Sequence, residues 1–296
     1  MGGLGNQMFQ YALGRHLSII NQIEYKLDIS CYQGNVADPM RGIRLFGLDN
    51  FNIKAEIASK DDLVDYYTKT NNKLFRKMIY FYRSYKPSGK QGYLPEPEAN
   101  YFRFNPDVLK QKITAKKFYI KGYWQTEKYF TDIADIIKSD FEFKNPPDEK
   151  NAKLLKDIEN SDSVGVHVRH GDNANNVVPW HGALSLEYYN QAVKILTADI
   201  KDPVFYIFSD DPEWSKNNLR LEYPTVYISH NGDEKNHEDL RLMAACKNHI
   251  IGNSTFSWWG AWLAKKPGQK VIAPKNYYIN YNVSKTDFYP KDWLTL

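Results

Sequence analysis

Apolar residues in the second half of the chain come in short runs: SVGVHVR (163–169), VFYIFSD (204–210), TVYIS (225–229), HIIGN (249–253) and KVIAP (270–274). Each is rich in β-formers and apolar on both faces, and helix-like stretches separate them. In SLEYYNQAVKILTADI, Ser185 can cap a helix whose Tyr188, Ala192 and Ile195 share one face. DPEWSKNNLR opens with acids and a proline, as a helix start does. KNHEDLRLMAACKN and STFSWWGAWLAKK follow the same logic. Strands that alternate with helices and are apolar on both faces predict an α/β fold with a parallel sheet covered on both sides. Ligands of such sheets bind at the carboxyl ends of the strands.

The first half is less regular. NQMFQYALGRHLSIINQ and FTDIADIIKSDF read as helices, YKLDIS and KKFYIKGYWQ as strands. NPPDEK (145–150) breaks the pattern with two prolines. The boundary is placed there, giving domains 1–147 and 148–296, a division that 296 residues allow.

Composition narrows the class. Hydrophobic residues make up 42% and charged residues 25%, the balance of a globular protein. No stretch approaches the ~20 apolar residues of a transmembrane helix, and MGGLGNQMFQ has neither the basic start nor the apolar block of a secretory signal. Two cysteines, Cys31 and Cys246, cannot build a secreted disulfide framework, so a cytoplasmic setting is expected. In that setting the glycosylation patterns at Asn253 and Asn282 are accidental. A net charge of +4 does not indicate nucleic acid. Its distribution says more: Thr68 to Gly92 carries seven Lys and Arg and no acid, with aromatics interleaved. That stretch is either a solvated helix or a surface for anionic lipid at the inner face of the membrane.

Three motifs carry candidate chemistry. GGLGNQMFQYA sets Gly2, Gly3 and Gly5 before a helix, where backbone amides can approach an anion. A dinucleotide fingerprint ending at Asp28 fails, because Met8 holds the third glycine position and no strand precedes the loop. HVRHGD ends the first strand of the sheet. There Arg169 offers a two-donor fork for phosphate, His167 shares its sheet face, and Asp172 can cap or act as a base. His167, His170 and His181 lack the tight cysteine or carboxylate set of a zinc site. GNSTFSWWGAWLA places Asn253, Ser254, Thr255 and Ser257 at a strand end and helix start, a phosphate seat by geometry, with Trp258, Trp259 and Trp262 as core on the sheet side. Asp210 or Asp239 could accept the paired N–H edge of guanine. Each motif also has a simpler reading: a glycine turn, an ion pair between Arg169 and Asp172, and Ser/Thr or Asp helix caps.

Taken in order, GGLGNQMFQYA, GYWQTEKYF, HVRHGD, FSDDPEW and DLRLMAACKNHIIGNSTFSWWGAWL resemble the α-1,2-fucosyltransferase family in its bacterial form. The resemblance implies two Rossmann-like domains facing across a cleft (GT-B type), the first on the acceptor side and the second binding GDP-fucose. It also implies a galactose-terminated glycan acceptor, inversion at the anomeric carbon, and neither metal nor other cofactor. Residue by residue, it assigns Arg169 to the β-phosphate, His167 to guanosine and Asp239 to guanine. Asn253, Ser254, Thr255, Phe256 and Ser257 become the phosphate and ribose seat, Gly3 binds the donor from the glycine loop, and Asn6 of that loop faces the sugar and acceptor as a catalytic residue. Asp172 is the expected base, ahead of Glu187 and His181, and Tyr123 and Trp124 could stack on the acceptor sugar. The sequence departs from the family at His170, where a second arginine is usual, and at the glycine loop, before which a short strand is expected upstream of Gly2. A peptide O-fucosyltransferase and a non-catalytic carbohydrate-binding protein are the competing readings.

Overall fold

The computed structural model describes residues 2–33, 44–63, 92–115, 117–171, 182–264 and 266–296. The basic stretch from Lys69 to Lys90, the expected base Asp172 and His181 lie outside the described residues.

Helix α1 (Leu4–Asn21) follows Gly3, its extended N-cap, and ends at Gln22, whose left-handed φ of 53° stops the helix. Leu4, Met8, Phe9, Tyr11, Ala12, Leu13 and Leu17 are buried and cover the helix on nearly all sides, so α1 runs through the interior. The expected strands of this half are short. YKLDIS yields β1 (Lys26–Leu27), parallel to β2 (Glu56–Ile57). β3 (Tyr93–Pro95) pairs in parallel with β4 (Tyr119–Lys121), the part of KKFYIKGYWQ that forms a ladder. Helix α2 (Ala134–Asp140) follows a 3-10 turn at Thr131–Ile133.

The second half begins with α3 (Glu149–Glu159), capped by Asp148, whose carboxylate accepts from the Asn151 N–H. It continues through β5 (Asp162–Val168), α4 (Leu186–Thr197), β6 (Pro203–Ser209), α5 (Pro212–Asn218), β7 (Thr225–Ile228), α6 (Asn236–Ala245), β8 (Asn248–Ile250), α7 (Thr255–Leu263) and β9 (Val271–Ala273). A hairpin, β10 (Asn276–Tyr278) and β11 (Tyr281–Asn282), and the short β12 (Leu294–Thr295) complete it. Strands β5 to β9 coincide with the five apolar runs. Among the described residues they form, with β12, a six-stranded parallel sheet in the order β12-β9-β8-β5-β6-β7.

Period-two alternation explains how the sheet is covered. Val164, Val166, Val168, Phe205 and Ile207 face α4, with Tyr189 and Ala192 packed against them. Tyr206 and Phe208 face the other way, against Leu242 and Met243 of α6 and Cys246 just after it. The chain fills β5, β6 and β7 in one direction and then returns to β8 on the other side of β5. Strand order therefore reverses between β5 and β8, the point at which such sheets bind ligands.

Trp258, Trp259 and Trp262 are core residues, but their partners differ from those expected. Instead of packing on the sheet, they join Phe9, Phe130 and Phe141 of the first half in one apolar cluster. The Phe130 and Trp259 rings stack at 5.2 Å and 15°. Helix α7 is apolar all round because it is buried between the sheet unit and α1. No helix among the described residues is long and apolar enough to cross a membrane.

Candidate active site

At the point where strand order reverses, β5 carries His167 near its end and leads into Arg169, and β8 leads into Asn253 and Ser254. All four line one cleft. Gly3 to Asn6, with Arg44 and Leu45, form the wall opposite, and Asn231 to Asp233, Asn236 and Asp239 close the side beside α6.

The N-termini of α1 and α7 meet in this cleft. A Cβ at Gly5 would lie 2.5 Å from the Thr255 carbonyl oxygen and 2.6 Å from the Phe256 nitrogen. Trp259 Nε1 donates to the Gly5 carbonyl at 3.0 Å. Gly5 is thus needed for backbone-to-backbone approach of two helices, a requirement separate from ligand contact. The Ser254 hydroxyl caps α7 by accepting from the Phe256 N–H at 3.3 Å. Two helix starts aimed at one space make it favourable for an anion.

Arg169 Nη1 pairs with Asp210 Oδ2 at 3.1 Å. The other Asp210 oxygen accepts from the His170 and Gly171 N–H groups at 2.8 and 3.3 Å. Asp210 therefore orients the guanidinium and holds the turn after β5. His170, at the position where the family has a second arginine, does not line the cleft. Its ring stacks on Trp214 at 3.7 Å and 12°, and its Nδ1 lies 3.0 Å from Asp211. A second arginine of the cleft, Arg44, comes instead from the first half.

His167 is buried beside Phe256, with ring centroids 5.7 Å apart. Burial, reinforced by the nearby Arg169 charge and opposed by Asp210, pushes its pKa well below the ordinary imidazole value, so the ring is neutral at pH 7. Its Nδ1 has no partner among the described residues. Asp239 is held by Asn231, whose Nδ2 donates to its Oδ1 at 2.8 Å. Asn231 is braced in turn by the fully buried Asn151 at 3.0 Å. Burial raises the Asp239 pKa to about 7, against the lowering effect of the Asn231 bond.

The sequence candidates separate on these facts. Gly3, Asn6, His167, Arg169, Asp239, Asn253, Ser254, Thr255 and Phe256 line the cleft together. Ser257 does not: it is fully buried, and its hydroxyl donates to the Gly252 and Ser254 carbonyls. The Asn253 amide donates to the Gly182 and Tyr277 carbonyls, both at 3.1 Å, so this side chain holds the strand end in place. Glu187 lies exposed on α4, bonded to Gln191. Trp124 is buried against Tyr129 and presents no face to a sugar, whereas Tyr123 is half-buried. Arg44, Asn231 and Asn236 also line the cleft, outside the three sequence motifs. HNGDEK, the turn after β7, would have drawn attention to Asn231 under the strand-end rule. Arg44 has no motif around it. Among the described residues no three His, Cys, Asp or Glu side chains are grouped to hold a metal ion.

Comparisons with known proteins add to this geometry. The family model of glycosyl transferase family 11 matches residues 96–296. The chain is 32% identical to the alpha-1,2-colitosyltransferase of Escherichia coli, covering all of this chain and 96% of that one. It is 29% identical to galactoside alpha-(1,2)-fucosyltransferase 1 of Mus musculus over 57% of this chain and 46% of that one. A mutant of Arabidopsis thaliana FUT1, solved in complex with GDP, superposes with a TM-score of 0.53 at 13% identity, over 94% of this chain and 70% of that one. That likeness is one of fold, an α/β architecture of the GT-B type.

Proposed function

The chain belongs to glycosyl transferase family 11, and from that premise we propose that it moves L-fucose from GDP-β-L-fucose to the 2-hydroxyl of a terminal galactose, with inversion and without a metal ion. One observation carries the donor half. Arg169, the starts of α1 and α7, and the carboxylate of Asp239 line the same cleft. A cation and two helix N-termini suit a diphosphate. A carboxylate at the far side suits the N1–H and N2–H pair of guanine. The names of both relatives support the α-1,2 linkage, and that of the Mus musculus relative supports fucose and a galactoside acceptor.

Charge dictates the mechanism. Breaking the bond between fucose and GDP leaves negative charge on the β-phosphate and positive charge on the sugar. Donors fixed in advance towards that developing charge are the largest catalytic contribution. Arg169, locked by Asp210, and the helix amides fill this role. The neutral His167 and Phe256 border the nucleoside. Asn6 faces the sugar, its Oδ1 fixed by Gln125 Nε2 at 2.7 Å. The acceptor hydroxyl attacks from the opposite face, and Asp172, closing the HVRHGD motif, is proposed to take its proton. Transfer and GDP binding should be unchanged by a chelator; calorimetry and an assay with and without one test this, and loss of either would overturn metal independence.

Asp239 gives the donor assignment a pH signature. Guanine requires the ionised carboxylate, which in the empty site forms only as pH rises through about 7. GDP should therefore bind about tenfold more weakly at pH 6 than at pH 8, releasing a proton on binding. Asp239→Asn should weaken binding and remove that part of the pH dependence, leaving the phosphate's own titration as background. Equal pH profiles in the two proteins, measured by titration calorimetry, would remove Asp239 from the guanine.

A second reading, colitose as the sugar, is favoured by the Escherichia coli relative. The two sugars differ by one hydroxyl, and a site that bonds a hydroxyl rejects the analogue lacking it. Direct competition between GDP-fucose and GDP-colitose decides between them; preference for fucose is expected.

A further inference from the structure

Glu96 stands outside every motif used so far, yet it organises the first-half surface beside Asn6. Its Oε2 accepts from the Tyr123 N–H at 2.6 Å and the Trp124 N–H at 3.1 Å. That grip bends the chain: Trp124 sits in the left-handed region at φ 56°, unusual for a bulky residue. Gly122 makes room for it, since a Cβ there would lie 2.7 Å from Trp124 Nε1 and 2.8 Å from Glu96 Oε2. The segment is tied to α1 at both ends. Gln10 Nε2 donates to the Gly122 carbonyl at 3.0 Å, and Gln125 donates to Asn6.

Tyr101 lies within the field of this carboxylate: burial and then the Glu96 charge raise its pKa. The Tyr101 and Tyr123 rings meet edge-on at 6.0 Å and 74°. Tyr32, whose hydroxyl donates to the Gly2 carbonyl at 3.0 Å, continues the group to the glycine loop. Both Tyr101 and Tyr123 are half-buried. Among the described residues no hydrogen bond reaches the other carboxylate oxygen, Oε1, while Glu96 as a whole is 9% exposed. A largely buried carboxylate with one oxygen lacking a protein partner is costly, and two amide bonds to the other oxygen offset only part of that cost. The cost shows in the Glu96 pKa, which burial raises despite the two backbone bonds.

We infer that Glu96, with Tyr101 and Tyr123, forms the acceptor-sugar subsite: Oε1 accepts a hydroxyl of the sugar whose C–H face lies against the tyrosine rings. The chemistry is that of carbohydrate recognition, flat apolar rings beside a carboxylate oxygen. The position follows from the Gln125–Asn6 bond, which joins this surface to the donor cleft. This inference rests on the proposed transfer to a glycan.

Glu96→Gln keeps an oxygen for the two amides and removes the charge, so the fold survives in a site that already disfavours the ionised form. The KM for lactose should rise about tenfold or more, since a hydrogen bond to a charged group is lost, while GDP affinity stays unchanged. Tyr101→Ala should act in the same direction without touching the amides. A glycan array probed in the presence of GDP separates this inference from the functional reading. Loss by both variants of whichever glycan the wild type retains supports the subsite. Retained binding with an unchanged acceptor KM, or no glycan retained by the wild type, overturns it. A wild type that retains only glycans lacking galactose contradicts the proposed acceptor alone.

Discussion

Arg169→Lys is expected to lower turnover on the order of a hundredfold with little change in melting temperature. The guanidinium presents two donors in a plane, and Asp210 holds that plane at the end of β5 through a 3.1 Å contact. A lysine ammonium can still pair with Asp210, so the turn after β5 keeps its Asp210 bonds to the His170 and Gly171 amides. What it cannot do is meet Asp210 and the departing phosphate at once with fixed geometry. The effect should therefore fall on kcat more than on donor KM, because the missing bond strengthens as the leaving group gains charge. A lysine variant with near-native kcat would remove Arg169 from the leaving-group role.

Gly5→Ala should harm both stability and catalysis, against local propensity. Alanine is favoured over glycine by about 1 kcal/mol within a helix, and Gly5 is helical. Here the added carbon would stand 2.5 Å from the Thr255 oxygen and 2.6 Å from the Phe256 nitrogen. Those are backbone atoms, so no rotamer change relieves the contact, and α1 must move away from α7. Overpacking of this kind costs about 1–3 kcal/mol, which for a chain of this size lowers the melting temperature by about 2–4 °C per kcal/mol. Displacing two helix starts that line the cleft should also reduce kcat/KM on the order of a hundredfold. Calorimetric melting and steady-state kinetics test both parts. A variant more stable than the wild type, with full activity, would show that the two helices are free to separate.

The sheet was legible because its strands are apolar on both faces and evenly separated by helices. Runs such as VFYIFSD leave no other use for Phe205 and Ile207 on one side and Tyr206 and Phe208 on the other. The first half was harder to read, since its ladders are two or three residues long and its central helix is buried on nearly every side. The polar residues Asn6, Gln10 and Arg15 of that helix are packed against protein partners too, so no solvent-facing stripe says what the helix packs against. The same gap hid the union of α1 with the tryptophans of α7.

At the site, the motifs reached the cleft, but the roles within it depend on direction. Ser254 and Ser257 are chemically alike, yet one caps the helix in the cleft and the other turns back to the Gly252 carbonyl. Tyr123 and Trp124 are neighbours, and the Glu96 contact sends one ring to the surface and the other into the core. Asp210 and Asp239 both follow strands, and only the observed pairing with Arg169 assigns Asp210 to orientation. Several such partners are distant in sequence: His170 and Asp210 lie 40 residues apart, and Asn6 and Gln125 lie 119 apart. Spacing along one chain contains no record of them.

The central claim is transfer of fucose from GDP-fucose to the galactose 2-hydroxyl. Its most direct test is to incubate the protein with GDP-fucose and lactose or N-acetyllactosamine and determine the product linkage by NMR. The expected product carries α-linked fucose on the 2-hydroxyl of the galactose residue. Fucose attached at any other position, or transfer of colitose from GDP-colitose with none of fucose, would contradict the account.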